Sequence, residues 1–156
     1  MMNIFFEDEI ITENDLFFLC YMIERVARRL QQRNSYVVNT ITKQEWLRLI
    51  SLANVLHCEN PLKIEDEWIQ EYKLQKGEFD RLKINSDFVR QIPTETQIGK
   101  VYMRLIVDTL QPDENYVEGM IRVYNDDICK KIDDYNCSAY YEPSYVIARA
   151  YNDGGF

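Results

Sequence analysis

Helical periodicity that follows capping signals is the feature that most constrains the fold of this chain. Thr12, Thr42 and Thr94 are each followed, three residues later, by an acid or an amide. Such a threonine side chain accepts a hydrogen bond from a free amide of the first helical turn, and the later side chain accepts one from the threonine amide. Apolar residues then recur at three- and four-residue spacing, which predicts a helix after each threonine.

The same spacing elsewhere predicts five to six helices in all. The first is apolar nearly all round in its first half, so it is either central to the domain or shows a second face to a partner. Ser35–Ile41 is short and rich in β-branched residues, which favours a strand-like connector, and Lys76–Pro93 is predicted to be an irregular connection. The predicted helices are Glu13–Arg33, Lys43–His57, Glu65–Tyr72, Glu95–Leu110, Glu114–Tyr135 and a last one that begins at Pro143.

The length of the chain is compatible with one ordinary domain, because 156 residues can bury a core that needs no disulfides. Asn60-Pro61 interrupts the helical pattern, since the residue before a proline avoids the helical region. We therefore predict an all-α fold, namely a single-domain bundle of five to six helices over residues 1–156, with at most one short strand-like connector.

Composition and charge exclude several classes of protein. The 18 basic and 26 acidic residues leave a net charge of −8, which argues against general binding to nucleic acid or to anionic membranes. The longest apolar run, Leu16–Ile23, is far too short to span a bilayer. Four cysteines without a C-x-x-C pair and a single histidine do not form a zinc motif. The thiols are expected to be reduced and the protein cytoplasmic, with no cofactor.

Two acidic blocks account for much of the negative charge. Residues 58–75 hold five acidic residues against two lysines, and residues 111–135 hold seven against three basic ones. Asp126/Asp127 and Asp133/Asp134 lack the spacing of a calcium loop, and no metal-binding E-x-x-H motif is present. We expect both blocks to be solvated helix faces, with contact to a basic protein partner as the alternative.

A basic strip interrupts this acidic background near the end of the first predicted helix. Arginines complement the negative end of a helix dipole and pair with nearby acids, so a solvated or ion-paired face is the first expectation. A site for a phosphate or an acidic partner is the second. DNA recognition is less favoured, because no compact second helix follows after a short turn. The strip comprises Arg25, Arg28, Arg29 and Arg33.

The most informative segment is the tyrosine-rich stretch 135–145, which holds four of the eleven tyrosines. A tyrosine offers rigid contact area together with a hydrogen-bonding tip, as recognition surfaces require. The alternative is a C-terminal helix that is docked by hydrogen-bonded tyrosines. The predicted partner-binding residues of this stretch are Asn136, Tyr140, Tyr141, Glu142 and Tyr145.

His57-Cys58 is the most reactive pair in the sequence. A cysteine nucleophile needs a base that touches its sulfur, and a neighbour in the sequence is seldom placed to do so. The preferred interpretation is a helix C-terminus, where His57 interacts with the negative end of the dipole.

Five strings taken together resemble a family of small uncharacterised bacterial proteins of about this length. Genes of that family sit beside a small ADP-ribosyltransferase-like toxin and a short helical partner, as in toxin–antitoxin operons. The resemblance covers nearly the whole chain and implies a protein partner encoded in the same operon, but it assigns no catalytic or binding residue. The strings are His57–Asn60, Ile98–Tyr102, Arg122–Asn125, Ile132–Asn136 and Tyr140–Tyr145.

No catalytic constellation emerges from these patterns, so we expect a non-enzymatic protein-interaction module. The resemblance adds that it is an accessory or antitoxin-like component of a bacterial operon. Two alternatives stay open. One is an enzyme or nucleotide-binding protein with a pocket lined by tyrosines, Asn136, Glu142 and the His57-Cys58 pair. The other is a DNA-binding regulator that acts through the arginine strip.

Overall fold

A computed structural model describes residues 1–85, 87 and 91–156, and within these ranges the fold is all-α, as predicted. The described residues form eight α-helices where five to six helices were expected, and the same residues hold no strand beyond an isolated antiparallel bridge between Met2 and Ile10. A short 3-10 helix, Ser138–Tyr141, precedes the last α-helix. The α-helices are α1 Glu13–Leu30, α2 Asn34–Thr40, α3 Lys43–Leu56, α4 Pro61–Glu71, α5 Glu95–Thr109, α6 Tyr116–Tyr124, α7 Ile128–Ile132 and α8 Ser144–Asp153.

The three threonine signals mark helix starts, as predicted. Thr94 forms a complete capping box, because its hydroxyl accepts from the Gln97 amide at 3.1 Å and the Gln97 side chain accepts from the Thr94 amide at 2.8 Å. The Thr42 hydroxyl accepts from the Glu45 amide at 3.2 Å. At the first site, the Asp15 carboxylate accepts from the Thr12 amide at 2.8 Å.

Helix α1 is the central element of the fold. It packs along α5 and also contacts α2, α3 and α4, so most of its apolar side chains are buried in one continuous core. Its largest buried residues include Leu16, Met22 and Ile23. The helix ends at Gln31, which takes a left-handed conformation (φ 53°), and not at Arg33 as predicted.

The prediction of a strand-like connector at Ser35–Ile41 is wrong, because residues 34–40 form the helix α2. Val37 and Val38 are buried against α1 and α6, and the Asn34 side chain is hydrogen-bonded inside the core. Burial of these side chains outweighs the weak β preference of valine.

The predicted helix Glu114–Tyr135 is divided into α6 and α7. Helix α6 ends at Asn125, whose side-chain amide donates to the Ile121 carbonyl at 2.7 Å. The Asp126 carboxylate then accepts from the Ile128 amide at 2.9 Å, which starts α7. Short polar side chains that bond to the nearby backbone favour such interruptions.

Helix α4 begins four residues before its predicted start. The Asn60 side chain accepts from the Leu62 amide at 3.0 Å, and Pro61 occupies the first helical turn, where a proline is tolerated. Asn60-Pro61 therefore starts α4, whereas α3 has already ended at Leu56. Trp68 of α4 meets Trp46 of α3 edge to face, with ring centroids 5.4 Å apart.

The connection from α4 to α5 contains no regular helix among its described residues, as expected for Lys76–Pro93. Phe88 and Val89, two of its apolar residues, lie outside the described part of the chain. In the described ranges no helix is both long enough and apolar enough to cross a membrane.

We predict that Gly99→Ala destabilises the protein, whereas Gly119→Ala does not. A Cβ at Gly99 would lie 3.0 Å from backbone atoms of Tyr21, so α1 and α5 would have to separate. Overpacking costs about 1–3 kcal/mol and outweighs the gain of about 1 kcal/mol in helix propensity. A Cβ at Gly119 would meet the end of the Leu110 side chain at 2.7 Å, which can rotate away, and Ile106 Cγ2 at 3.2 Å, which has to move by only a few tenths of an ångström.

Urea unfolding and thermal scans of the two variants check this prediction. For Gly99→Ala we expect a melting temperature lower by about 2–4 °C, which corresponds to a net loss of about 1 kcal/mol at this chain length. Gly119→Ala should match or exceed the wild type. Equal stability of both variants would show that α1 and α5 are not in tight backbone contact.

Candidate functional site

The most unusual feature of the interior is a network of buried charges centred on Glu24, which is 1% exposed. Its carboxylate accepts from Arg28 Nε at 2.7 Å and from Arg81 Nη1 at 3.0 Å. The Asn34 side chain donates to the same carboxylate at 3.0 Å, and the Tyr135 hydroxyl donates to it as well. Two cations and two neutral donors thus satisfy one buried anion.

Asp133 is a second buried acid in the same network. Its Oδ1 accepts from the Tyr102 hydroxyl at 2.6 Å and from Asn34 Nδ2 at 3.2 Å, and it lies 3.9 Å from Arg81 Nη1. The arginine side chain is therefore held between two carboxylates. Among the described residues the network pairs two buried acids with Arg28 and Arg81, and Arg28 also lies 3.9 Å from the more exposed Glu95.

The network ties together segments that are remote in the sequence. Arg28 Nη2 donates to the Pro93 carbonyl at 2.7 Å, just before α5. Arg81 Nη2 donates to the Gln32 carbonyl at 2.6 Å, beyond the end of α1. The irregular connection between α4 and α5 is thereby fastened to α1, α2 and the segment that follows α7.

The two acids respond differently to burial. Burial alone would raise the pKa of the Glu24 carboxyl, but the guanidinium groups of Arg81 and Arg28 outweigh it, and the net shift is downward. For Asp133 burial prevails and raises the pKa of the carboxyl to about 7, even though Arg81 opposes the shift. The Glu24 charge adds to the rise at Asp133.

The sequence patterns did not predict this network, and they predicted a solvated face at Asp133. That prediction is wrong for Asp133 and also for Glu65, which are 3% exposed each. One signal was present: Glu24 lies four residues after the buried Cys20 and four before Arg28, at the edge of the apolar stripe. Nothing in the local sequence pattern indicated that Arg81 is buried beside Glu24, because Arg81 lies in an irregular segment without helical periodicity.

The arginine strip does not form one free basic patch. Arg28 is partly buried and bonds to Glu24 in the network, and Arg25 Nε donates to the Glu65 carboxylate at 2.7 Å. Arg29 contacts Asp66 at 2.7 Å, while the Arg33 guanidinium stacks on the Phe79 ring, 4.1 Å from its centroid. Most of the positive charge is therefore already paired with acids.

Three of the five predicted residues in the tyrosine-rich stretch come together. Asn136, Tyr140 and Tyr141 line a groove of about 500 Å³, which Pro93 and Gln97 also line; we call it the tyrosine groove. Tyr141 is 81% exposed.

The other two predicted residues lie outside the tyrosine groove. Glu142 is exposed and is not among the lining residues, and Tyr145 lines a separate depression on α8. Tyr135, by contrast, is buried and belongs to the charged network. The stretch therefore combines a structural anchor with an exposed aromatic surface.

A larger apolar surface lies at the N-terminus, where the sequence analysis placed no site. Residues 1–11, here the N-terminal loop, are fastened to α3: the Asn3 side chain donates to the Ser51 carbonyl at 2.7 Å, and the Ser51 hydroxyl accepts from the Ile4 amide at 3.2 Å. Buried Ile11 secures the other end of the loop. The exposed apolar residues of the loop are Met2, Ile4, Phe5, Phe6 and Ile10, from 40% to 76% exposed.

A groove of about 660 Å³ adjoins this loop, and we call it the N-terminal groove. Its apolar lining includes Ile10 of the loop and Phe17, Phe18 and Tyr21 of α1, and His57 also lines it. The rings of Phe17 and Tyr21 stack with centroids 6.1 Å apart. The first half of α1, apolar nearly all round, thus serves both the core and this groove.

His57 caps the C-terminus of α3, where the sequence placed it. Its Nδ1 lies 3.2 Å from the Ala53 carbonyl, and its Nε2 lies 3.6 Å from the Cys58 sulfur. The two side chains do meet, contrary to the expectation for neighbours in the sequence. The other three cysteines, also free thiols, are buried or partly buried.

No cluster of three or more histidine, cysteine, aspartate or glutamate side chains that could hold a metal ion occurs in residues 1–85, 87 and 91–156. No protein-family model matches the chain, and neither a curated protein nor a solved structure matches it. The bacterial toxin–antitoxin resemblance therefore stays a prediction.

We predict that Asp133 makes the wild-type protein less stable as the pH rises from about 4 to about 7. Its ordinary pKa is 3.8 and its folded pKa about 7, so over this range the folded protein keeps a proton that the unfolded chain has lost. Stability that depends on this proton is present at the acid end and is lost as the pH approaches 7.

Urea unfolding of the wild type and of Asp133→Asn between pH 4 and pH 8 measures the effect. The stability of the wild type relative to the variant should fall with increasing pH, because the asparagine does not titrate. A difference that does not vary with pH, or that grows, would show that the Asp133 carboxyl does not hold a proton in the fold.

Proposed function

We propose that this protein is a non-enzymatic interaction module and that the N-terminal loop forms its main docking surface. The observation that carries the proposal is the concentration of exposed Met2, Ile4, Phe5, Phe6 and Ile10 in a single anchored loop. Exposed apolar side chains concentrated in one segment favour a site of protein interaction.

The anchoring of the loop supports the proposal. The Asn3 side chain also accepts from the amides of Phe5 and Phe6, at 2.8 and 3.0 Å. These bonds fix the backbone while the two aromatic rings remain half-exposed. A loop held in this conformation loses little conformational entropy when a partner binds, and aromatic residues carry much of the energy of interfaces.

The arginine pairs weigh against a regulator that binds DNA through the strip. Arg25, Arg28 and Arg29 contact the acids Glu65, Glu24 and Asp66. A phosphate backbone would have to displace these acids, and the net charge of −8 would oppose its approach.

The toxin–antitoxin resemblance indicates where to look for the partner. A protein encoded in the same operon is the first candidate, with this chain as an accessory or antitoxin-like component. The tyrosine groove is a second exposed aromatic surface, and it supplies a matched comparison for the N-terminal loop.

The predicted outcome concerns two pairs of exposed aromatic residues. Phe5→Ser/Phe6→Ser should abolish stoichiometric co-purification of a partner when the tagged chain is expressed from its native operon. Tyr141→Ser/Tyr145→Ser removes as many exposed rings from the other end of the chain and should leave the partner bound. Size-exclusion chromatography with mass spectrometry gives the stoichiometry, and thermal unfolding verifies that both variants fold.

Two results would contradict the proposal in different ways. If the wild-type chain emerges alone and monomeric under all conditions, the protein is not an interaction module. If the tyrosine variant loses the partner and the phenylalanine variant retains it, the docking surface lies at the tyrosine-rich stretch and not at the N-terminal loop.

A further inference from the structure

We propose that the N-terminal groove binds a basic amphipathic helix of the partner protein. In this arrangement apolar side chains of the helix enter the groove, and its lysines or arginines face the acidic rim. The inference rests on the proposed function, because it specifies the chemistry of the partner at the same docking surface.

The lining of the groove fits apolar anchors. Phe17, Phe18 and Tyr21 of α1 line the groove together with Ile10 of the loop, and Phe17 and Tyr21 lie one helical turn apart. The volume of about 660 Å³ lies within the range of clefts that bury a ligand of substantial size. Anchors spaced three and four residues apart on a helix would enter such a groove together.

The rim of the groove is acidic. Glu9, Asp15 and Glu59 are the acidic residues among the described lining, which includes no lysine or arginine. Glu59 also pairs with Lys63 outside the lining, at 3.0 Å, and the Asp15 carboxylate accepts from the Thr12 amide, so Glu9 is the lining acid without such a partner among the described contacts. The exposed neighbours Glu7 and Asp8 extend the charge along the loop. Complementary charge steers association and rejects partners of the same sign, so the rim selects a cationic segment.

The backbone of the loop favours a helix over an added β-strand. Strand addition requires a row of free main-chain groups. The amides of Ile4, Phe5 and Phe6 instead donate to Ser51 and Asn3 side chains, and the Glu9 amide donates to the Phe6 carbonyl at 3.0 Å. These donors are not available to an incoming strand, which favours contact through side chains.

Charge also argues against two other occupants. A symmetric pair of these chains would place the acidic rim against the same rim of the second copy, and both copies carry a net charge of −8. An anionic membrane would repel Glu7, Asp8 and Glu9 at the tip of the loop. A cationic protein segment meets neither obstacle.

Fluorescence anisotropy with designed peptides tests the inference on the full chain. The probe is a labelled peptide of about 18 residues with leucines on one helical face and lysines elsewhere. The comparisons are a scrambled peptide of the same composition and a peptide in which glutamates replace the lysines. We expect the leucine–lysine helix to bind at least about tenfold more tightly than either, and its affinity to fall as salt is added.

Charge-reversed variants locate the binding. Glu7→Lys/Glu9→Lys should weaken binding of the leucine–lysine helix about tenfold. Glu78→Lys/Asp153→Lys makes the same change in net charge at two exposed acids outside the groove lining and should have little effect. Equal weakening by the two pairs would show general attraction to an acidic protein and would overturn the inference.

Two further results separate this inference from the proposed function. If the glutamate peptide binds as well as the lysine peptide, or if no peptide binds, the groove does not select a basic helix. If, in addition, the partner from the native operon is still lost from the Phe5→Ser/Phe6→Ser variant, the interaction function stands and only the assigned chemistry of the partner fails.

Discussion

The contact between Glu24 and the guanidinium groups of Arg28 and Arg81 is the interaction on which the arrangement of this protein depends. A buried carboxylate is tolerated only where cations and hydrogen-bond donors surround it, so α1 can reach its position only when Arg81 arrives from the irregular connection. Asn34 of α2 and Asp133 at the end of α7 are hydrogen-bonded in the same network, so these two elements must also be in place for the buried charges to be satisfied. Helices that pack through apolar contacts alone could slide, whereas this polar cluster specifies one arrangement.

The network also shapes the surface that is left for recognition. Arg28 turns inward and Arg25 and Arg29 pair with acids, so the exterior keeps its acidic character. The first half of α1 is buried on several sides, yet Phe17 and Tyr21 stay half-exposed beside the N-terminal loop. An apolar groove with an acidic rim results, at the end of α1 opposite to the charged network.

Local signals predicted α1, α3 and α5, because their capping threonines and apolar stripes act within one turn of each helix. They could not predict α2, whose valines become helical only through burial against α1 and α6. At the candidate sites, closeness in the sequence predicted that Asn136, Tyr140 and Tyr141 lie together. It could not show that the Arg28 side chain points toward Glu24 instead of the solvent. The N-terminal loop was missed because an apolar segment looks the same in sequence whether it is buried or exposed.

A double-mutant cycle at Glu24 and Arg81 tests the central role of the buried network most directly. Glu24→Met leaves the buried Arg81 and the partly buried Arg28 with Asp133 as the one buried acid, and Arg81→Met leaves two buried acids with Arg28 alone, so each should lower the free energy of unfolding by about 3–5 kcal/mol. The double variant leaves one of each and should cost at least about 2 kcal/mol less than the sum. Single losses below about 1 kcal/mol, or strict additivity in urea unfolding, would contradict the account.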